Sequence, residues 1–216
     1  MQGSYEPCIY HIKKRNTMYL KTIYSTLLSV LFLAGSLVAE DHSLSLQNDS
    51  EIRLDGDSNV RSWGADAEQV SGTLVLQNLE TVTLENITAE TFKELTLTIA
   101  VDGLDSGTRG LTRNMHNYLK KDDHPNITFT LNRITNIDMQ GSTAVISAEG
   151  VVNAAGQNHT VNMQVNASVN SNGSLNFTGE QPLLMTDFGI EPPRALMGTV
   201  RADDEILITY NVNFSR

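Results

Sequence analysis

Histidines and carboxylates are the side chains of this sequence that could bind a metal ion or carry acid–base catalysis. His42, His116, His124 and His159 lie beyond residue 40, and no two of them have the spacing of a zinc-binding motif. Cys8 is the only cysteine, so neither a thiolate cluster nor a disulfide framework can form. We therefore predict no metal site and no cofactor.

Arrangements for nucleophilic or carboxylate catalysis are also missing. The sequence has no G-x-S-x-G segment for a hydrolase serine and no phosphate-binding glycine loop. Its acidic runs, Asp122-Asp123 and Asp203-Asp204-Glu205, are typical of solvated turns. Nothing indicates the burial and fixed separation that a glycosidase pair needs. We predict a protein that is not an enzyme and has no catalytic residues.

The charge balance argues against nucleic acid as a partner. The 216 residues include 15 Lys and Arg against 25 Asp and Glu, for a formal net charge of -10. Nucleic-acid binding depends on clustered cations that neutralise phosphates, and an acidic surface repels the polyanion. The length suits one domain with a sizeable core, so we expect a single domain that does not bind nucleic acid.

The first 39 residues have the three parts of a secretory signal peptide. Lys21 ends a basic segment, residues 23–38 are mainly apolar, and Ala39 is a small residue at the predicted cut. The apolar run is shorter than the ~20 residues of a spanning helix, which favours a cleaved signal over an anchor. Met18 stands where such a peptide would begin, so it is a candidate start in place of an upstream Met1.

Release without acylation is the expected outcome of this leader. Residues 33–36 resemble a bacterial lipoprotein box, but Ser36 occupies the position of the lipidated cysteine. Cleavage near Ala39 removes four basic residues and Cys8, and it leaves a more acidic chain without cysteine. We predict a periplasmic or secreted protein.

Period-two alternation of apolar and polar residues dominates the rest of the sequence and predicts strands with one dry face and one wet face. It is clearest in residues 95–101, 127–131, 161–169 and 206–214, and weaker in 51–54, 70–77, 81–88, 144–152 and 174–178. Turn signals separate these segments, for example Asp55-Gly56-Asp57, Gln140-Gly141-Ser142 and Ala155-Gly156. The pattern predicts about eight or nine antiparallel strands.

One segment departs from the strand pattern. In residues 111–123 the apolar side chains fall at helical spacing, and Pro125 prevents a helix from continuing. We predict one short amphipathic helix. Its neighbours Arg113, Lys120 and Lys121 could bind a lipid phosphate, but solvated charges are the favoured interpretation.

Antiparallel strands with one apolar face can pack as a sandwich or close into a barrel. The lengths of segments 161–169 and 206–214 favour the barrel. About eight strands enclose a space that side chains fill or that holds one small ligand. The apolar residues are mostly of modest size, which favours a bound ligand. A fully packed interior remains the alternative interpretation.

The order of several short motifs resembles the YceI-like family. The resemblance covers about residues 50–214 and rests on these segments: Ser62-Trp63, Gly72, 95–101, Met115, Leu119-Lys120, His124-Pro125-Asn126-Ile127-Thr128-Phe129, Ala148-Glu149-Gly150-Val151-Val152, His159-Thr160-Val161, Met185-Thr186-Asp187-Phe188-Gly189-Ile190 and Asp204-Glu205-Ile206 to residue 214. The chain departs from the family in segment 111–123, where Tyr118 is the only aromatic residue, and at Leu183-Leu184-Met185.

The resemblance implies an all-β fold: a single antiparallel lipocalin-like β-barrel of about eight strands with one short α-helix, spanning residues 43–215. It further implies an exported protein whose apolar interior holds a long isoprenoid or other lipid, without catalysis, and transient contact with the cell envelope is compatible with that role. A β-sandwich adhesion or scaffold module with a packed core is the alternative.

The candidate ligand-binding residues are apolar or aromatic side chains on the predicted inner faces. They are Leu97, Ile99, Phe129, Leu131, Met163, Val165, Phe177, Phe188, Ile208 and Tyr210. Core packing without a ligand is the other interpretation of most of them. For Phe188, a packing corner with Gly189 is the favoured one, because glycine permits close approach of the backbone.

Overall fold

The structure is a computed structural model that describes residue 3 and residues 40–216, without the side chains of residues 40, 195 and 196. The predicted signal peptide and its cleavage site near Ala39 thus lie outside the described residues. In the described part, no helix has the length and apolar character that crossing a membrane would require.

Residues 40–216 form twelve strands of very different lengths and one α-helix. The strands are β1 (Glu40–Leu46), β2 (Glu51–Ser58), β3 (Trp63–Ala67), β4 (Val70–Leu79), β5 (Phe92–Ala100), β6 (Leu104–Asp105), β7 (Asn126–Gln140), β8 (Thr143–Ala154), β9 (Gln157–Val169), β10 (Leu175–Leu184), β11 (Arg194–Ala195) and β12 (Val200–Ser215), and the helix is α1 (Arg109–Tyr118).

Eight of these strands close into an antiparallel barrel in the order β1, β4, β5, β7, β8, β9, β10 and β12. The ring closes where Ser45 and Leu46 of β1 pair with Ser215 and Phe214 of β12. The predicted all-β barrel with one short helix is therefore confirmed, and the sandwich alternative is wrong. Alternation predicted the strands, and closure removes the unpaired edges that two open sheets would leave.

One end of the barrel is extended by the shorter strands. Besides pairing with β1, the strand β12 pairs with β2 along the earlier part of its length. In turn, β2 pairs with β3, and β3 pairs with β6. The α1 helix connects β6 to β7 at this end, and the His116 Nε2 donates to the Leu104 carbonyl oxygen over 2.9 Å. We call this the helix end; the turns at Gly141 and Gly173 lie at the far end.

The helix is displaced from its predicted position. It spans Arg109–Tyr118 rather than 111–123, because a left-handed residue, Lys120 with φ of 56°, ends it before Pro125. The Lys121 amide donates to the His116 carbonyl and the Lys120 amide to the Asn117 carbonyl. This pair of bonds is a Schellman motif, which satisfies the last helical carbonyl groups.

Two other local predictions are wrong. Residues 81–88 form no strand and lead into two 3-10 turns, Leu84–Asn86 and Ala89–Thr91. The alternating residues Val82 and Leu84 pack against the core from the end of the barrel. The predicted turn at residues 55–57 lies inside β2, where Gly56 pairs with Trp63 and the indole ring covers the glycine. A glycine inside a strand can mark such a close approach instead of a turn.

The core has two parts, one towards each end of the barrel. The far-end part includes Leu74, Leu76, Leu175 and Phe214, which are almost completely buried. The helix-end part includes Leu104, Phe188 and, at the C-terminus of α1, Leu119. Between these two parts, the side chains of the barrel do not meet across its axis, which leaves the site described next.

Candidate functional site

An apolar cavity of about 190 Å³ runs through the interior of the barrel. A single water molecule needs about 15 Å³ by the same kind of measure, so the space is far larger than a packing defect. Thr128, Gln181 and Tyr210 are the only polar residues among those that line it. Cavities with such linings stay dry and bind apolar molecules.

All ten side chains that the sequence marked as candidates line this cavity. The long strands supply eight of them from inward-facing positions two residues apart: Leu97 and Ile99 on β5, Phe129 and Leu131 on β7, Met163 and Val165 on β9, and Ile208 and Tyr210 on β12. Phe177 comes from β10 and Phe188 from the 3-10 turn after it. Contact of each with a ligand stays a prediction.

Several lining residues were not recognised in the sequence. Ile146 and Ala148 of β8 face the cavity, but residues 144–152 carry apolar side chains at both parities, so their alternation is ambiguous. Phe92, Leu95 and Ile134 also line it. The alternation of apolar and polar residues is interrupted around Phe92 and Ile134, because the register of their strands shifts close to these residues.

Glycines on neighbouring strands keep two aromatic rings against the wall of the barrel. A Cβ atom added at Gly150 of β8 would overlap the Phe129 ring of β7, and one added at Gly179 of β10 would overlap the Tyr210 phenol of β12. Each ring therefore lies on bare backbone, an arrangement known to offset the weak packing of strand glycines. The interior stays open where larger residues would push the rings across it.

The Tyr210 hydroxyl is buried without a hydrogen-bond partner. Burial raises the pKa of this phenol to about 12, because the phenolate would lose its hydration. The group therefore remains neutral at any physiological pH, and the cavity contains no charge at this position. An uncharged interior favours ligands whose buried portion is apolar.

The helix end of the cavity is closed by a packed corner. Phe188 is buried, its ring meets the His159 ring edge-on at 5.7 Å, and Gly189 takes a left-handed conformation with φ of 64°. The His159 Nε2 lies 3.4 Å from a carboxylate oxygen of Asp187. These features agree with the packing interpretation of Phe188 and Gly189, although Phe188 also lines the cavity.

Of the three cations that the sequence marked at the helix, Lys120 and Lys121 make contacts within the fold. Lys121 Nζ lies 2.7 Å from the Asp102 carboxylate, which lowers the pKa of that carboxyl group. Lys120 Nζ donates to the Ala155 carbonyl oxygen over 3.4 Å. Asp204, from one of the acidic runs, accepts hydrogen bonds from the Thr186 amide and hydroxyl. Within residues 40–216, no group of three or more metal-ligating side chains comes together.

The closed antiparallel barrel and its apolar cavity define a lipocalin-like architecture. A family model described as a YceI-like domain matches residues 47–214. Since that match covers most of the chain, the protein belongs to the YceI-like family. No curated protein sequence matches it.

Solved structures share the fold at low sequence identity. BcnA from Burkholderia cenocepacia superimposes with a TM-score of 0.56 at 18% identity, over 76% of this chain and 95% of that one. A polyisoprenoid binding domain from Saccharophagus degradans, implicated in plant cell wall breakdown, gives a TM-score of 0.60 at 11% identity, over 80% of this chain and 97% of that one. At these identities the similarity shows the shared fold.

Proposed function

We propose that this chain is an exported, non-catalytic lipid-binding protein that holds a long isoprenoid-like chain inside its barrel. The observation that carries the proposal is the cavity of about 190 Å³, whose lining is apolar except for Thr128, Gln181 and Tyr210. Removing apolar surface from water stabilises a complex by about 25 cal/mol per Å². A lining with so few polar groups stabilises an apolar chain along its whole length and offers few hydrogen bonds to a polar metabolite.

Membership of the YceI-like family and the polyisoprenoid binding domain among the similar structures support the isoprenoid class. An extended chain suits the cavity, because lining residues reach from Leu119 at the helix end to Phe214 at the far end. Export rests on the predicted leader of residues 1–39. With a signal removed near Ala39, the protein would act in the periplasm or outside the cell.

Native mass spectrometry of the protein purified from its own cell envelope tests the ligand directly. We expect a bound apolar molecule at one copy per chain that is extractable into organic solvent. In parallel, the stripped protein should bind the fluorescent apolar probe N-phenyl-1-naphthylamine and release it when geranylgeraniol is added. A protein without a native ligand that also ignores the probe would contradict the proposal.

Met163→Trp separates a ligand cavity from a packed core. Met163 lines the cavity opposite Ala148 of the neighbouring strand, and the larger ring would occupy space that the ligand needs. We expect the variant to lose at least about nine-tenths of its probe binding, while its melting temperature stays close to that of the parent.

The matched control for this variant is Asn162→Trp, which adds the same ring on the exposed face of β9 and should leave binding unchanged. If the interior were fully packed, Met163→Trp would instead cost about 1 to 3 kcal/mol of folding free energy through overpacking. A clear loss of melting temperature, in a protein that binds no probe, would therefore reject the cavity.

A further inference from the structure

The wall of the barrel is split between β5 and β7. These strands pair only from Thr96 with Thr130 to Ala100 with Asn126. From there towards the far end, residues 92–95 of β5 pair only with β4, and residues 131–140 of β7 pair only with β8. The two strands therefore diverge towards the far end, and each leaves an unpaired edge there, with the 3-10 turn Ala89–Thr91 packed beside β7.

At this split the inner cavity and a surface hollow share a single layer of side chains. The hollow, of about 210 Å³, is more open than the cavity and is lined by residues 89–93 and 131–134 without Thr91. Phe92, Leu131 and Ile134 line both the hollow and the inner cavity. These three half-buried side chains are thus the layer that separates the cavity from solvent at this place.

Within residues 40–216, no side-chain hydrogen bond or ion pair joins the two sides of the split. On the β5 side, Lys93 pairs with Asp41 of β1, and the Glu90 carbonyl accepts a bond from Gln77 of β4. On the β7 side, Arg133 pairs with Glu149 of β8. Each side is fastened to its outer neighbour, so the three apolar side chains can move apart without breaking a polar contact.

The hollow is polar but has no spare positive charge. Lys93 Nζ lies 2.5 Å from the Asp41 carboxylate, and Arg133 lies 2.8 Å from that of Glu149. Asp41 and Glu149 pair with these two lining cations from outside the hollow, and Glu90, the carboxylate of the lining itself, accepts a hydrogen bond from Thr88. Two cations against three carboxylates, in a chain with a net charge of -10, disfavour an anionic group and leave donors and acceptors for a neutral polar one.

We propose that the ligand enters and leaves between β5 and β7, and that it is an amphiphile with an apolar chain in the cavity and an uncharged polar end in the outer hollow. The inference rests on the proposed lipid-binding function and specifies its route and its ligand class. Phe92, Leu131 and Ile134 form the gate, and the Asp41, Glu90 and Glu149 carboxylates select against phosphate and carboxylate head groups.

Stopped-flow fluorescence with N-phenyl-1-naphthylamine tests the route. Asn132 is exposed, lines the hollow and does not line the inner cavity, so Asn132→Trp should obstruct the entrance without filling the cavity. A barrier on the route slows entry and exit equally, so we expect both rate constants to fall about tenfold or more, while Kd changes less than about threefold. Phe92→Ala, which widens the gate, should raise both rate constants.

The matched control places the same ring at the helix end. Asn117 is an exposed residue of α1, and Asn117→Trp should leave both rate constants unchanged. Slower exchange in Asn117→Trp with normal exchange in Asn132→Trp would overturn the proposal in favour of entry past the helix. Failure of the parent protein to bind the probe at all would instead refute the proposed function, so the two failures are distinguishable.

Competition against the bound probe tests the ligand class. Geranylgeraniol should displace it about tenfold more effectively than geranylgeranyl phosphate, which differs only in the charged end. Glu149→Gln removes the partner of Arg133 and should narrow that ratio at least about threefold, because the freed guanidinium can then pair with phosphate. Preference for the phosphate in the parent protein, or a ratio unchanged by Glu149→Gln, would contradict an uncharged polar end in the hollow.

Discussion

Tyr210 combines the largest side chain of β12 with the one buried side-chain polar atom of the described residues that lacks a partner. A buried hydroxyl without a hydrogen bond costs about 1 to 3 kcal/mol. The position tolerates this cost because the ring packs on Gly179 and fills the wall. Tyr210 thus buries its hydroxyl in the wall beside Gly179 at the expense of stability, and a residue selected for packing alone would be phenylalanine.

Tyr210→Phe is expected to keep or raise the free energy of unfolding near neutral pH, by up to about 1 kcal/mol, since it removes the unsatisfied hydroxyl. Its effect on alkaline stability follows from the phenol pKa, which burial raises to about 12, against about 10 in the unfolded chain. As pH rises from 10 towards 12, the unfolded state loses this proton first, so the parent protein loses stability that the variant keeps.

Denaturant unfolding of parent and variant at about pH 9 and about pH 11.5, on either side of the unfolded-state phenol pKa, measures this difference. The lysines titrate in both proteins, so their effect cancels in the difference between the two free energies of unfolding. The change of this difference with pH therefore isolates Tyr210. If the difference in free energy of unfolding between parent and variant stays constant over this pH range, the phenol ionises as easily in the fold as in the unfolded chain.

Strand pairs explain which parts of the site the sequence predicts. The period-two pattern of β5, β9 and β12 assigns an inner face to each strand, and every candidate side chain on these faces lines the cavity. Residues such as Met163 could be predicted because an unbulged strand keeps one face inward over its length. The closing pairs between β1 and β12 join residues from opposite ends of the described chain and leave no local pattern.

The second half of β7 shows why the split was not predicted. Its register with β8 shifts between Leu131 and Arg133 and again between Ile134 and Asn136. Each shift moves the following side chains to the other face, so Ile134 and Ile137 both pack against the core although an odd number of positions separates them. Alternation therefore ends at Leu131 in the sequence, and the divergence from β5 requires the tertiary structure.

Gly150→Ala tests how β7 and β8 shape the cavity together. The added Cβ would overlap the Phe129 ring and lie 2.9 Å from the Thr130 carbonyl oxygen, so the ring must move into the cavity. We expect a loss of about 1 to 3 kcal/mol of folding free energy from this overpacking, together with weaker probe binding. Denaturant unfolding and equilibrium fluorescence titration of the same sample would measure both.

Gly110→Ala in α1 is the matched control for that substitution. A Cβ atom added at Gly110 would have no other atom within 4 Å, and the φ of this residue is not positive. The change should therefore raise helix stability by up to about 1 kcal/mol and leave binding as it was. Equal stability changes at both glycines would show that Phe129 does not depend on the bare backbone of Gly150.

At the scale of the whole molecule, the first and last strands hold the barrel closed. Leu44 of β1 is buried, and the His42 Nε2 donates to the Leu79 carbonyl oxygen over 2.8 Å. The Arg216 guanidinium contacts the other ring nitrogen of His42. The segment directly after the predicted leader is thus part of the wall, and the position of signal cleavage matters for the fold.

Export should therefore yield a chain that begins at Glu40, the first residue of β1. Cleavage only a few residues later would remove part of β1, with Leu44 and the pairing that closes the ring, so the site after Ala39 is the last one that keeps the strand whole. Intact mass analysis of the exported protein should give the mass from Glu40 to Arg216 without an acyl adduct.

A pair of substitutions at the predicted cleavage site tests the leader. Ala39→Phe should accumulate the precursor, since the cleavage site requires a small residue, whereas Val38→Phe, at the variable position before it, should be processed normally. An acylated product would contradict the predicted leader. A start beyond Leu46 in a protein that still binds the probe would contradict both the predicted cleavage site and the role of β1 in closing the barrel.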